Sequence, residues 1–194
     1  MNTLFFDTET TGTINFKADE YDPCQPNLVQ LGAVLLDVKD SGYKELARTC
    51  LLMEPNLFDS IPERATEVHG ITVEDCKNGG ISPYTALKMF DELLANTERV
   101  VCHNVKFDTQ IMRIASRRLG NNLPEFPGDC FCTMEAYTPL LKLPGRYGYK
   151  WPQLVELTEH CFPGKTFNFH NALADVEATI AVYFALPEKL RQWQ

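Results

Sequence analysis

Two acidic residues stand one position apart at the end of the first apolar segment of the chain. Asp7 and Glu9 follow residues 4–6, a short run typical of a buried strand. Side chains at positions i and i+2 leave the same face of a strand, so both carboxylates are expected to point together. Converging carboxylates beside apolar residues cost free energy unless a proton or a cation neutralises them, and hard divalent ions prefer oxygen ligands. The pair therefore predicts a metal site.

Two later segments carry the same kind of signal. Asp108 lies four residues after Asn104, and Asp175 lies four residues after Asn171. If each asparagine caps a helix, each aspartate occupies the fourth helical position. His170 then stands just before the cap, a position that meets the fourth residue across a helix start. Three distant segments would thus supply four carboxylates and one imidazole.

The three segments, in this order, resemble the motifs of the DEDDh-type 3′–5′ exonuclease superfamily. Its members include the proofreading subunit of the bacterial replicative DNA polymerase, exonuclease X and ribonuclease T. Residues 61–62 and 68–72 also resemble a stretch that these enzymes carry between their first and second motifs, so the resemblance spans nearly the whole chain. It implies an α/β, ribonuclease H-like fold, with a mixed five-stranded sheet flanked by helices.

The resemblance also implies a role for each site residue. The implied catalytic residues are Asp7, Glu9, Asp108, His170 and Asp175. The four acids would hold two divalent cations, Mg²⁺ or Mn²⁺, which can grip the attacking and leaving oxygens of a phosphoryl displacement. His170 would accept the proton of the attacking water. The residues implied to seat the terminal nucleotide are Thr8, Thr10, His69, Asn104 and Phe107.

Some of these residues have a structural interpretation as well. Phe107 has the spacing to Ile111 that packing on one helical face requires, so a core role is equally compatible with the sequence. His69 could close a turn before Gly70 rather than contact substrate. His103, which ends a short apolar strand, is predicted to serve the strand end and not to bind a ligand.

The predicted function is a metal-dependent 3′–5′ exonuclease that removes nucleoside 5′-monophosphates from single-stranded ends, with DNA favoured. An RNA-trimming exoribonuclease stays open, because the choice depends on how the site treats the 2′-hydroxyl and no residue reveals this. A weakly catalytic module that binds nucleic-acid ends or docks on a polymerase also stays open, although the complete set of acids and histidine counts against it. A polymerase or other replication partner could supply processivity.

Composition sets further limits. The 194 residues, 44% of them hydrophobic, favour a single folded domain over residues 1–194. The net charge of −8 looks wrong for a nucleic-acid partner, but two divalent ions would reverse the sign locally, which favours a small, end-directed footprint. The seven cysteines lack paired spacing, and no apolar run approaches the roughly 18 residues of a membrane helix, so a cytoplasmic protein with no membrane contact is expected.

The order of apolar patterns predicts how the chain is built. Strands at the start of the chain, at 28–38 and at 46–53 suggest a three-strand meander. Helices are predicted at 83–96, from 104 to about 120, at 151–161 and at 172–186, with a short strand at 130–132 followed by a short helix. The Pro- and Gly-rich remainder of residues 121–150 has no clear pattern.

Overall fold

The structure is a computed structural model that describes residues 1–121 and 126–191; residues 122–125 of the Pro- and Gly-rich stretch lie outside the described part. The strands are β1 (Asn2–Thr10), β2 (Leu28–Lys39), β3 (Gly42–Leu52), β4 (Arg99–Cys102), β5 (Cys130–Cys132), β6 (Pro144–Gly145) and β7 (Gly148–Tyr149). The helices are α1 (Glu63–His69), α2 (Val73–Gly79), α3 (Pro83–Ala95), α4 (Val105–Arg118), α5 (Thr133–Leu141), α6 (Leu154–Cys161), α7 (Ala172–Ala185) and α8 (Glu188–Arg191).

Five strands form one mixed sheet in the order β3-β2-β1-β4-β5. β2 is antiparallel to both β1 and β3, whereas β4 is parallel to β1 and β5 is parallel to β4. The predicted meander, the strand at 130–132 and the mixed five-stranded α/β sheet are confirmed. β6 and β7 form a separate small hairpin that the sequence did not indicate.

Successive residues of β1 serve the two faces of this sheet. Phe6 belongs to a core formed with α3 and α4, and its ring lies 4.9 Å from that of Phe90 in α3, centroid to centroid. Phe5 belongs to a second core formed with α5, α6 and α7, and its ring centroid lies 5.2 Å from that of Tyr183 in α7. The alternation along β1 therefore decides which helix each of its next residues meets.

The helix starts agree only in part with expectation. Asn171 caps α7 as predicted, because its side chain accepts a hydrogen bond from the Ala174 amide. The predicted capping of α4 by Asn104 is wrong: its backbone is left-handed, with φ at 74°, and its side chain makes no capping hydrogen bond. Asparagine tolerates the left-handed conformation. A capping residue instead has an extended backbone, from which its side-chain oxygen can reach the amides of the first helical turn.

Helix α6 starts three residues later than predicted. Gln153 is its cap, and the Gln153 amide donates to the Glu156 carboxylate at 2.8 Å in a reciprocal capping box. Trp151 and Pro152 thus form a lead-in segment outside the helix. In the described part of the chain, every helix is too short or too polar to cross a bilayer.

Candidate active site

The end of β1 brings two carboxylates to the face that α7 covers. Asp7 and Glu9 follow Phe5 at intervals of two, so all three side chains leave the same face of the strand. Asp175, in the first turn of α7, meets them there. One oxygen from each of Asp7, Glu9 and Asp175 lies within 4.8 Å of the other two. The structure therefore joins the first and third sequence segments in one acidic cluster.

Two residues of β2 fix the start of α7 against this cluster. The buried Gln30 accepts a hydrogen bond from the Ala172 amide at 2.9 Å. A Cβ on Gly32 would lie 2.4 Å from the carbonyl carbon of Ala172, so the helix start can approach the strand only because position 32 is glycine. Sequence reasoning missed both roles, although a glycine inside an apolar strand is a recognisable signal of close backbone approach.

Asp175 has one oxygen held by the chain and one left free. The His170 amide donates to its Oδ2 at 3.1 Å, from a left-handed backbone conformation with φ at 67°. Its Oδ1 is buried and has no hydrogen-bond partner among the described residues. The His170 side chain itself is exposed. The arrangement orients the carboxylate while leaving the imidazole accessible at the mouth of the site.

Asp108 reaches the end of β1 from the opposite face of the sheet. It is 2% exposed, and its Oδ1 accepts hydrogen bonds from the Thr8 amide at 3.0 Å and the Thr8 hydroxyl at 2.8 Å. Thr8 lies between Asp7 and Glu9, and it continues the face of β1 that α4 covers. Asp108 is therefore close to Asp7 without belonging to the cluster of three.

The four carboxyl groups have raised pKa values, because bringing them together in a buried site destabilises their ionised forms. Burial raises the pKa of Asp7 well above its usual range, and repulsion from the other three carboxylates adds to the shift. Burial raises the pKa of Asp108 to about 8 although the Thr8 hydrogen bonds oppose it. Burial and then repulsion from Asp175 raise the pKa of Glu9 to about 7, and burial raises that of Asp175 to about 6. Ionised acids this close are stable only with a counter-charge.

The predicted substrate residues divide between two clefts that meet at the acids. A cleft of about 570 Å³ is lined by residues that include Thr8, Glu9, Thr10, His69 and Phe107. A second cleft, of about 620 Å³, is lined by residues that include Asp7, Asn104, Trp151, Phe169, His170 and Asp175. Of the residues expected to seat the nucleotide, Asn104 alone faces the second cleft. Each cleft presents at least one acid of the cluster, Glu9 in the first and Asp7 with Asp175 in the second.

Both interpretations of Phe107 and His69 are compatible with their positions. Phe107 is half-buried, packs against the core beneath α4 and also lines the first cleft. His69 accepts a hydrogen bond from the Ile71 amide at Nδ1, 3.0 Å away, and so closes the turn at Gly70. Its Nε2 is buried and completes no hydrogen bond with the described residues. Burial lowers the pKa of His69, and the nearby Thr10 carbonyl opposes this shift only in part.

His103 links the end of β4 to the lead-in of α6. Its Nδ1 lies 3.1 Å from the Thr133 hydroxyl, and the carbonyl of Pro152 is its second polar neighbour. Burial lowers the pKa of His103 to about 4, which leaves the ring uncharged. These contacts are those of a residue that serves the strand end, although His103 also lines the second cleft with Asp7 and His170.

Comparison with known proteins identifies the class. The family described as exonuclease, RNase_T, matches residues 4–183, so the chain belongs to this exonuclease family. Membership of the DEDDh-type 3′–5′ exonuclease superfamily, the ribonuclease H-like fold and the prediction of a nuclease are confirmed. Divalent metal use is typical of this family, and the cluster of Asp7, Glu9 and Asp175 is a candidate for it here.

Particular relatives cover the chain almost completely. It is 28% identical over 195 residues to the uncharacterized exonuclease CP81 of Escherichia phage 186, covering 94% of this chain and 87% of that protein. It is 27% identical over 191 residues to the 3′-5′ exonuclease DinG of Bacillus subtilis, covering 97% of this chain but 18% of DinG. Among solved structures, E. coli exonuclease I in complex with a dA16 oligonucleotide has a TM-score of 0.75 at 18% identity, over 98% of this chain and 42% of that one.

Proposed function

We propose that this protein is a metal-dependent 3′–5′ exonuclease that releases nucleoside 5′-monophosphates from single-stranded ends. The observation that carries the proposal is the cluster of Asp7, Glu9 and Asp175, with oxygens within 4.8 Å of one another and Asp108 buried behind it. Folding alone would not collect four uncompensated acids where two clefts meet. A phosphodiester and its counter-ions would account for them.

The chain's own residues can carry the proton and place the phosphate. His170, exposed beside Asp175, is suited to accept a proton from the water that attacks phosphorus. The bond from phosphorus to the 3′-oxygen of the preceding nucleotide breaks, and that oxygen takes a proton from solvent. The phosphate stays on the departing nucleotide, so the product is a 5′-monophosphate. Thr8 holds Asp108 in place throughout, through its amide and hydroxyl.

The residues at the site fit divalent cations. The donor set consists of carboxylate oxygens, and one of them, Oδ1 of Asp175, is buried without a partner in the described part of the chain. Mg²⁺ or Mn²⁺ held by Asp7, Glu9, Asp108 and Asp175 would supply positive charge that neutralises the acids and the phosphate. We propose two such ions, in keeping with the superfamily resemblance.

The first cleft is suited to the terminal nucleotide. Phe107 offers a ring for contact with a base, and His69 lines the same cleft. DNA is the favoured substrate because exonuclease I, the structural relative, has been solved with dA16 and with dT13. The comparisons give no support to the predicted polymerase partner.

All seven cysteines are free thiols, which supports the proposed cytoplasmic location.

A degradation assay tests this proposal. Matched 3′-end- and 5′-end-labelled single-stranded DNA, duplex DNA and RNA are incubated with the protein in Mg²⁺, in Mn²⁺ and in EDTA. We expect release of 5′-monophosphates from the 3′ end of single-stranded DNA in either metal and none in EDTA. Faster release from RNA would move the substrate assignment to an exoribonuclease, and no release in either metal would leave a binding module.

The role of His170 is tested separately from that of the acids. His170→Ala should lower turnover by about 10²–10⁴-fold, the usual cost of losing a general base, while Mn²⁺-dependent binding of a short oligonucleotide persists. The matched control is His160→Ala, an exposed histidine on α6, which should turn over normally. Native turnover by His170→Ala would contradict the assignment.

A further inference from the structure

The segment at residues 142–151, which contains the β6–β7 hairpin, has a charge unlike that of the rest of the chain. It holds three cations and three aromatic residues: Lys142, Arg146, Lys150, Tyr147, Tyr149 and Trp151. It holds no acid, although the whole chain has a net charge of −8. The segment was not assigned a role by any sequence motif, and the catalytic residues described above do not include it.

The aromatic rings of this segment do not build the fold. Tyr147 is 89% exposed, Trp151 is 65% exposed and Tyr149 is 57% exposed. The Arg146 guanidinium lies over the Tyr147 ring, 5.1 Å from its centroid. Three large rings left in solvent side by side are unusual, because each would normally gain free energy by burial. Apart from the Tyr147 face that Arg146 covers, these rings are open to a partner outside the chain.

The three cations of the segment differ in whether they form an ion pair. Lys150 is bound to the Glu156 carboxylate at 2.6 Å, which ties the hairpin to the first turn of α6. Within the described residues, Lys142 and Arg146 form no ion pair with an acid. Two cations therefore remain available to phosphates, while the third anchors the hairpin.

The segment ends at the active site. Trp151 lines the second cleft together with Asp7 and His170. The next residue, Pro152, presents its carbonyl to His103 at the end of β4. The C-terminal end of the segment is thus held beside Asp7 and His170, in a cleft whose lining does not include Phe107.

We propose that residues 142–151 bind the single strand on the 5′ side of the nucleotide being removed. This inference rests on the proposed function, which places the terminal nucleotide in the first cleft and the scissile phosphate at the acids. The rest of the strand then leaves through the second cleft, past Trp151 and onto the hairpin. Bases stack on Tyr147 and Tyr149, while Lys142 and Arg146 contact phosphates.

The chemistry favours an unpaired nucleic acid over other occupants. Exposed ring faces stack on any unpaired base, whereas bases inside a duplex are already stacked on one another. The positive segment on a negative chain complements the phosphate backbone. Such a surface would let an acidic protein hold a long strand although its overall charge repels it.

The stacking part is tested with the double variant Tyr147→Ala and Tyr149→Ala. KM and kcat are measured on oligothymidylates from two to twelve nucleotides. Because a dinucleotide is too short to reach the hairpin, the ratio of the twelve-mer KM to the dinucleotide KM should rise at least about tenfold. The matched control is Tyr84→Ala, an exposed tyrosine on α3 that also has a cation, Lys88, 5.8 Å from its ring centroid.

Each outcome of this assay has one meaning. No hydrolysis of any substrate by the native protein would defeat the proposed function. Normal hydrolysis by the native protein, with an unchanged KM ratio in the double variant, would overturn the hairpin inference alone. Thermal melting of every variant checks folding, and the high exposure of both tyrosines predicts an unchanged Tm.

The charge part is tested by salt dependence in a His170→Ala background, in which the bound oligonucleotide should persist. Binding of a labelled twelve-mer is measured in Mn²⁺ at several salt concentrations. Lys142→Ala with Arg146→Ala should reduce the slope of log K against log salt by about 0.7 for each cation removed. Lys88→Ala, on α3, should leave the slope as it is. An unchanged slope in the double variant, or equally tight binding of an oligoglutamate of the same charge, would overturn the inference.

Discussion

The two ends of the central strands differ in whether a buried charged group has a counter-charge within the chain. At one end, Arg99 opens β4 and is 9% exposed, and it donates to the Asp129 carboxylate at 2.7 Å, the Tyr183 hydroxyl at 3.0 Å and the Arg191 carbonyl. At the other end, beyond the middle of β1, Asp108 is 2% exposed, and the Thr8 amide and hydroxyl that donate to its carboxylate are both uncharged. The first charge is balanced within the chain, and the second is not.

This difference separates a structural charge from a functional one. A buried charge that has a counter-charge and full hydrogen bonds can be retained for folding alone. A group of acids whose pKa values are raised by burial and by mutual repulsion destabilises the folded state. Such a group is explained by a ligand that the fold is built to receive.

The largest expected effect on turnover comes from neutralising one acid of the cluster at the end of β1. Asp7→Asn should lower turnover by about 10³-fold or more, because the loss of several kcal/mol of charge stabilisation at the phosphate has that effect on rate. In EDTA the same variant should melt at a higher temperature than the native protein, since it removes a buried negative charge. Mn²⁺, which raises the Tm of the native protein, should raise that of the variant much less.

The matched control is at the opposite end of the sheet. Asp129→Asn leaves the Arg99 guanidinium without its counter-charge and should cost about 1–3 kcal/mol of stability. Its turnover at a temperature where it is folded should equal that of the native protein. Loss of stability in Asp7→Asn together with loss of turnover in Asp129→Asn would contradict the comparison.

A smaller effect is expected from moving the acids without changing them. Gly32→Ala places a Cβ 2.4 Å from the Ala172 carbonyl carbon, so the start of α7 must move away from β2 and carry Asp175 with it. A displacement of about 1 Å at a catalytic group costs on the order of 10²-fold in rate. Turnover is measured on folded protein, with Gly128→Ala as the control because a Cβ there meets nothing within 4 Å. Native turnover by a folded Gly32→Ala protein would show that α7 need not contact β2 this closely.

The sequence was sufficient for those parts of the site that depend on local rules. Alternation along β1 predicted that Asp7 and Glu9 share a face, and the Asn171 cap predicted Asp175 at the fourth position of α7. Helices α1 and α2 were not predicted, since seven residues each are too few to establish a period. The conformation of Asn104 depends on how β4 joins α4, which no local signal reports.

The supporting residues could not be found in this way because their roles depend on pairing between distant segments. Gln30 matters because the register of β2 with β1 sets it opposite Glu9 and below the start of α7. The β6–β7 hairpin has strands of two residues in a Pro- and Gly-rich stretch, so no alternation could reveal it. Which residues lie beside the acids is a property of the assembled sheet.

The smallest expected effect is a dependence of stability on pH, in which the acids at the end of β1 and the nearby His103 act with opposite sign. In the folded, metal-free protein the pKa of Glu9 is raised to about 7 and that of Asp108 to about 8, whereas both groups lose their protons near pH 4 when unfolded. The folded state therefore binds more protons than the unfolded state up to about pH 8, and the free energy of unfolding falls as pH rises through this window. Below about pH 6.5 the lowered pKa of His103 acts in the opposite direction, because there the unfolded state binds the extra proton.

We therefore expect the Tm in EDTA to fall between about pH 6.5 and 8.5, above the range in which the lowered pKa of His103 opposes the fall. Asp108→Asn should reduce this fall, because it removes one of the groups whose pKa is raised by burial. Asp129→Asn should lower the Tm at every pH, because it removes the ion pair with Arg99. It should not change how steeply the Tm falls with pH, because it leaves the acids at the end of β1 in place. Saturating Mn²⁺ should abolish the fall by holding the acids ionised in the folded state. A Tm that stays constant over this range in EDTA would show that the acids at the end of β1 are already neutralised within the chain.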